Sequence, residues 1–328
     1  MLNKMLNKIM RIIRKVEVVL LKFFLACGKK VTLFYYRVRD FIVPRWNVIW
    51  RTALLALLIL YVIGAAVFGI RLYKQKRFEK LDLAASYFYP FPVAKAGRAI
   101  VFDHQLQQWV AASKKFASGN DMQVPDDLSR KVVEELVNYA LAGQEADSLH
   151  VKLTQKDIDD KFNLSIEGIG SREQAVDFLK QMYGLSLGQF KRMITPMIIS
   201  EEVRNEKFVH VKAKHILIKD QSKAQDILNK IRSGGNFEDL AKDNSEDQGS
   251  KDQGGSLAGG EYIYRDSGLV PEVEDALFKL KKGEVSDLVK SQYGYHILKV
   301  EDRQGEIDMK MSDWFESLKK KYPVKILI

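Results

Sequence analysis

The sequence predicts an α+β protein made of one apolar helix long enough to span a membrane, a block of helices, and a compact unit with a small mixed or antiparallel sheet covered by helices. Three observations predict this. "TALLALLILYVIGAAVFGI", residues 52–70, is nineteen residues without a charge. Apolar residues then recur at helical spacing across 103–208. From Val209 onward, short strand-like runs alternate with short helical ones.

The N-terminal leader, residues 1–47, is basic. Lys4, Lys8, Arg11, Lys15 and Lys22 fall on one face of a helix, with Leu2, Leu6, Ile9, Ile13, Val16 and Leu20 around much of the rest. Such a helix suits an anionic membrane surface; a charge cluster that only sets topology is the alternative. Pro44 is expected to separate it from the next helix. Twelve of the 52 basic and two of the 42 acidic residues lie in 1–51, leaving 40 of each beyond. The excess of +10 thus lies wholly before the long apolar run, which argues against a nucleic-acid-binding surface.

Residues 48–72 read as the transmembrane helix. About 28 Å of helix follows from about 1.5 Å per residue, enough for a bilayer core. Arg51 and Arg71 bracket the run, and Trp46, Trp50 and Tyr73 stand where interfacial aromatics belong. A cleavable signal has a short charged leader, whereas about fifty residues precede this run. Positive charge marks the inner side, so the expected topology is a single pass through the cytoplasmic membrane with the later residues outside. Cys27 is the only cysteine; "LAC" resembles a lipobox in part, but Glu17 and Lys22 interrupt the apolar run before it. No disulfide is expected.

Residues 73–88, with "KQKRFEK", read as a juxtamembrane stalk. Residues 89–208 open with a strand-like run around "PVAKAGRAIVF" and continue as helices. In the first helix Leu106, Trp109, Val110 and Phe116 face inward; in the second, begun by Pro125 and Asp126, Leu128, Val132, Leu136 and Tyr139 do so. Thr154 and Asp157 have capping-box spacing, Gly184 ends a helix, and Pro196 is expected to kink the last one. Residues 209–303 then give strand "VHVKAKHILI", a helix with Ala224, Ile227, Leu228 and Ile231 inward, and a short helix capped by Asn236. A glycine-rich loop follows, then a helix from Pro271 to near Gly283, and two strands with a turn near Ser291. A histidine sits at the same point of two similar strands about eighty residues apart, His215 in "KHILI" and His296 in "YHILK". There is no HExxH, no cysteine among the histidines and no P-loop context in "GSKDQGGSLAGG", so neither a metal nor a cofactor is expected.

"AKHILI", "NFEDLAKDNSED", "GGSLAG", "VPEVEDALFKLKKGEVSDLV" and "YGYHILKV" together resemble the parvulin, or rotamase, family of peptidyl-prolyl isomerases over about 209–303. "PVAKAGRAI" and "YGLSLGQFKRMITPMIISEEVRN" resemble the N-terminal chaperone domain of SurA-like and PrsA-like foldases. That resemblance implies that 304–328 folds back to complete the helical domain, with "VKILI" pairing with "VAKAGRAIVF" and Trp314, Phe315, Leu318 and Tyr322 as its apolar stripe. It implies that His215 and His296 meet under a proline pocket, with Asp247 as the polar residue holding their tautomer and charge. Leu257, Leu269, Val273, Phe278 and Tyr293 take the substrate-binding positions. Val273 stands where the family commonly has Phe, and Tyr293 where Phe is more frequent. The implied function is a membrane-anchored isomerase and chaperone acting on extended exported polypeptides that contain Xaa-Pro, or a tethered holdase that keeps the fold without turnover.

Overall fold

The structure, a computed structural model, describes residues 37, 46–75 and 80–328. The amphipathic leader, Cys27 and the break at Pro44 lie outside the described residues. The chain divides into two bodies, Met1–Ile70 and Arg71–Ile328.

The uncharged run is helical, α1 spanning Trp46–Tyr73. Its stretch Thr52–Tyr73 has 22 residues, of which the most apolar 18 have a mean hydropathy of 2.7 with 6% buried. Length and composition suffice to cross a bilayer core. Leucines and isoleucines from Leu54 to Ile63 are exposed along it, unlike those of a helix packed in a soluble core.

In the second body the expected stalk is folded where it is described. Helix α2, Lys80–Ser86, buries Asp82 and Ser86. The Arg71 guanidinium donates to both oxygens of Asp82, at 2.6 and 2.9 Å, so the buried carboxylate is paired. Leu72 is fully buried, and the Tyr73 hydroxyl donates to the Pro92 carbonyl at 2.8 Å. Most of the charged run "KQKRFEK" that marks the stalk, residues 76–79, lies outside the described residues.

Strands β1 (Pro92–Ala96) and β2 (Ala99–Phe102) form a hairpin that turns at Gly97, whose φ of +58° suits glycine. Helices α3 (Asp103–Gly119), α4 (Leu128–Ser148), α5 (Gln155–Glu167), α6 (Arg172–Met182) and α7 (Leu187–Lys207) follow. The Thr154–Asp157 capping box forms, and Ser171–Gln174 and Ser186–Gln189 form two more. The buried face of α4 is centred on Val133, Val137 and Leu141, about one residue round from the predicted stripe. Only Leu136 of the four expected residues is fully buried, because α4 is covered by β1 and β2 as well as by α3 and α7. Helix α7 runs through Pro196 without a break. Asp103, the first residue of α3, is wholly buried, and neither carboxyl oxygen has a hydrogen-bond partner among the described residues. Burial pushes its pKa up to about 7, against the nearby backbone N–H groups of Phe91, His104 and Asp103 itself, which pull it down.

The third segment comprises β3 (His210–Ile218), α8 (Gln221–Arg232), α9 (Phe237–Asn244), β4 (Ile263–Tyr264), α10 (Pro271–Leu277), β5 (Val289–Ser291) and β6 (Gly294–Gln304). The sheet order is β4-β3-β6-β5, antiparallel throughout. Alternation along β3 and β6 gives two apolar faces. Ile216, Ile218 and Ile297 pack with Ala224, Ile227, Leu228 and Phe237 of α8 and α9. On the opposite face Val211, Ala213, Leu298 and Val300 pack with Val273, Leu277 and Phe278. Helix α10 starts at Pro271 as expected but ends at Leu277, short of Gly283. The chain leaves the helix there because 283–286 extends the edge of β6. Gly283 N–H bonds the Val300 carbonyl, and Ser286 N–H the Leu298 carbonyl.

Helix α11 (Met311–Lys321) and strand β7 (Val324–Ile326) return to the helical block. Trp314 meets Phe208 edge to face at 5.3 Å. Lys321 and Tyr322 both donate to Glu145 of α4. Strand β7 pairs antiparallel with β1, giving a second sheet of order β2-β1-β7.

Candidate active site

Strands β3 and β6 are the two central strands, and their register sets Leu217 opposite His296 and His215 opposite Leu298. Residues two apart share a face, so the two histidines lie diagonally on one face. Their rings stack at 5.6 Å between centroids, and His215 Nδ1 lies 3.4 Å from His296 Nδ1. Both are buried, at 7% and 4% exposure.

The outer edge of β3 beyond β4 is covered by the loop that follows α9. Glu246 N–H donates to the Leu217 carbonyl, Leu217 N–H to Ser245 Oγ, and His215 N–H to the Gly255 carbonyl. A Cβ on Gly255 would lie 2.2 Å from the His215 carbonyl oxygen, and its φ is +83°. Only glycine permits this approach. The loop thereby brings Asp247 Oδ2 to 2.7 Å and Ser250 Oγ to 2.9 Å from His215 Nε2, and Ser250 also donates to Asp247. On the other side Ser291 Oγ is 2.8 Å from His296 Nε2 and accepts from Tyr293 N–H at 3.1 Å.

These contacts form one polarised chain. With both rings neutral, His215 donates from Nε2 to Asp247 and accepts at Nδ1 from His296 Nδ1–H. His296 Nε2 then accepts from the Ser291 hydroxyl. Burial, with the neighbouring His215 ring second, pushes the His296 pKa down to about 4, which keeps that ring neutral. Burial works to raise the Asp247 carboxyl, but donation from Ser250, His215 and Gly249 outweighs it and leaves the group below the ordinary carboxylate value.

His215, Asp247 and His296 are therefore in contact. Leu257 and Leu269 pack, partly exposed, against the apolar cluster on the same face of the sheet. Val273 and Phe278 belong to that cluster but are buried, at 2% and 1% exposure. Phe278 is a core residue rather than an open pocket wall, with the Arg265 guanidinium 4.6 Å over its ring. Helical spacing in "PEVEDALFKL" does not distinguish a side chain lining a niche from one beneath it. Tyr293 is 55% exposed on the β5–β6 turn and is outside the cluster. Sequence reasoning missed Ser250 and Ser291. The signals available were a hydroxyl three residues after Asp247 and one at the turn before "YGYHI", both weak because serine is common in turns.

Residues 198–304 match the family model of the PPIC-type PPIase domain. This segment is a parvulin-type domain. The match opens within α7 and closes at the end of β6, so the parvulin-type domain contains the whole histidine chain. Foldase protein PrsA 4 of Bacillus cereus is 34% identical over 180 residues, 54% of this chain and 61% of that protein. Foldase protein PrsA of Caldanaerobacter subterraneus is 34% identical over 184 residues, 54% of this chain and 58% of that protein. The chain spans about three-fifths of the length of these curated relatives. The crystal structure of peptidylprolyl isomerase (PrsA) from Bacillus anthracis is 28% identical, covering 58% of this chain and 86% of that one, with a TM-score of 0.29.

Proposed function

We propose that the chain is a peptidyl-prolyl cis-trans isomerase and folding chaperone, held in the cytoplasmic membrane by α1 with its later residues outside, acting on extended exported polypeptides containing Xaa-Pro. The observation that carries this reading is the buried His215–His296 pair, ended by Asp247 and Ser291, beside the partly open Leu257 and Leu269.

Rotation about an amide costs about 18–20 kcal/mol because conjugation is lost at the twisted geometry. No bond breaks, so neither a nucleophile nor a metal is needed. The planar amide has negative charge on oxygen and positive charge on nitrogen; the twisted form has less of both. An apolar seat for the pyrrolidine ring next to an anionic Asp247 disfavours the charge-separated planar form and so lowers the barrier. The histidine chain sets the direction of the hydrogen bonds that hold Asp247 in place.

The buried positions of Val273 and Phe278 favour a second reading, a tethered holdase, since neither offers an aromatic wall to a proline ring. A protease-coupled assay on an Xaa-Pro peptide separates the two. Turnover that falls in His215→Ala, Asp247→Ala and Leu257→Ala supports the isomerase. A rate at background, or one that all three variants leave unchanged, supports the holdase.

A further inference from the structure

Strand β7 is the outer strand of the β2-β1-β7 sheet. Lys95 pairs with Lys325, Leu327 N–H donates to the Val93 carbonyl, and Gly97 N–H to the Pro323 carbonyl. Positions 323, 325 and 327 therefore turn their backbone groups to β1, and the N–H and C=O groups of Val324 and Ile326 point the other way. No described residue takes them up. Exposed strand edges of this kind are ordinarily covered or blocked.

The space beside this edge is a cavity of about 770 Å³. It is bounded by Ile326 and Ile328 on one side and by Val124, Pro125, Leu128 and Val133, from the α3–α4 connection and the first turns of α4, on the other, with polar and charged residues such as Asp126, Asp127 and Arg130 also lining it. A strand added to a sheet lies about 4.8 Å from its neighbour and drops alternate side chains on each face. The row of free amides and carbonyls supplies the hydrogen bonds such a strand needs, and Leu128, Val133, Ile326 and Ile328 offer contacts to alternate apolar side chains within a lining that is otherwise partly charged. An extended segment of chain meets those backbone groups residue by residue.

We propose that the free edge of β7 binds an extended segment of another polypeptide by strand addition, with preference for segments apolar at alternate positions. This site lies in the helical block, apart from the histidine chain. It rests on the reading of the protein as a foldase that handles extended chains, and it locates where such a chain is held while its prolines are sampled.

The test uses the full chain in detergent micelles and a fluorescein-labelled decapeptide alternating threonine and valine between terminal lysines. Binding is read by fluorescence anisotropy. A second peptide is N-methylated at every amide, so that neither edge can donate a hydrogen bond. Ile326→Pro removes an outward N–H while the pairing of positions 325 and 327 with β1 stays available. Saturable binding by the wild-type chain, weakened about tenfold by N-methylation and by Ile326→Pro, is the expected result. Should Ile326→Pro lower the melting temperature, the N-methylated peptide on the unmodified chain decides alone. Equal binding of both peptides, or no saturable binding, overturns the proposal. So does self-association of the chain that the decapeptide does not displace, which makes a second copy the occupant. Isomerase turnover on a four-residue Xaa-Pro peptide is measured in parallel. Its absence with strand binding intact removes the isomerase reading and leaves the edge site standing.

Discussion

Ser291 is the residue that fixes the far end of the histidine chain. Removing its hydroxyl leaves His296 Nε2 buried without a donor, at a cost of about 1–3 kcal/mol. Ser291→Ala is expected to lower the denaturation midpoint and to reduce isomerase kcat/KM, while Ser291→Thr restores both; chemical denaturation and the peptide assay check this. Asp103 gives a pH-dependent expectation. Its folded value of about 7 lies above the ordinary 3.8, so between those values the native chain holds more protons than the unfolded one. Stability therefore falls as pH rises through that window. Asp103→Asn is expected to raise the melting temperature at pH 8 and to change it little at pH 4, as read by thermal unfolding at the two pH values. An equal effect at both would mean that the carboxyl is not held protonated by its burial.

Among the elements, the β3–β6 pair and the loop from Ser245 to Ser256 make the site, and they differ in how well the sequence shows them. Both strands are legible because a repeated "HIL" phrase marks the same depth in two buried runs. Helices α8 and α9 are legible because Ala224, Ile227, Leu228 and Ile231 keep strict spacing and Asn236 caps as expected. The loop is not legible as structure, since its work is done by backbone pairing with β3 and by Gly255 under the His215 carbonyl. The C-terminal end of α10 was missed because competition from the β6 edge outweighs local helix propensity. The buried state of Phe278 was missed because one periodicity serves both a floor and a wall. Gly255→Ala tests the loop's role. The new Cβ meets backbone, so the loop must move, with an expected loss of more than about 2 kcal/mol of stability and of most isomerase activity. Retained turnover with unchanged stability would show that the loop does not position Asp247.

At the scale of the whole molecule, an apolar helix precedes a folded body in which the parvulin-type segment is flanked on both sides by the helical block. The proposed orientation has the N-terminus inside, on the ground of the positive charge that precedes α1. Protease added to intact cells is therefore expected to cleave an epitope placed after Ile328 and to spare one before Met1; the reverse pattern contradicts the proposed orientation. The central claim is that the linked imidazoles and Asp247 speed rotation about Xaa-Pro bonds. It is tested most directly by magnetisation-exchange NMR on an Ala-Pro peptide at equilibrium, with the full chain added in substoichiometric amount. The account predicts cis–trans exchange far above the uncatalysed rate of tens to hundreds of seconds per event, lost in Asp247→Ala. Exchange indistinguishable from peptide alone, or equally fast with Asp247→Ala, would contradict it.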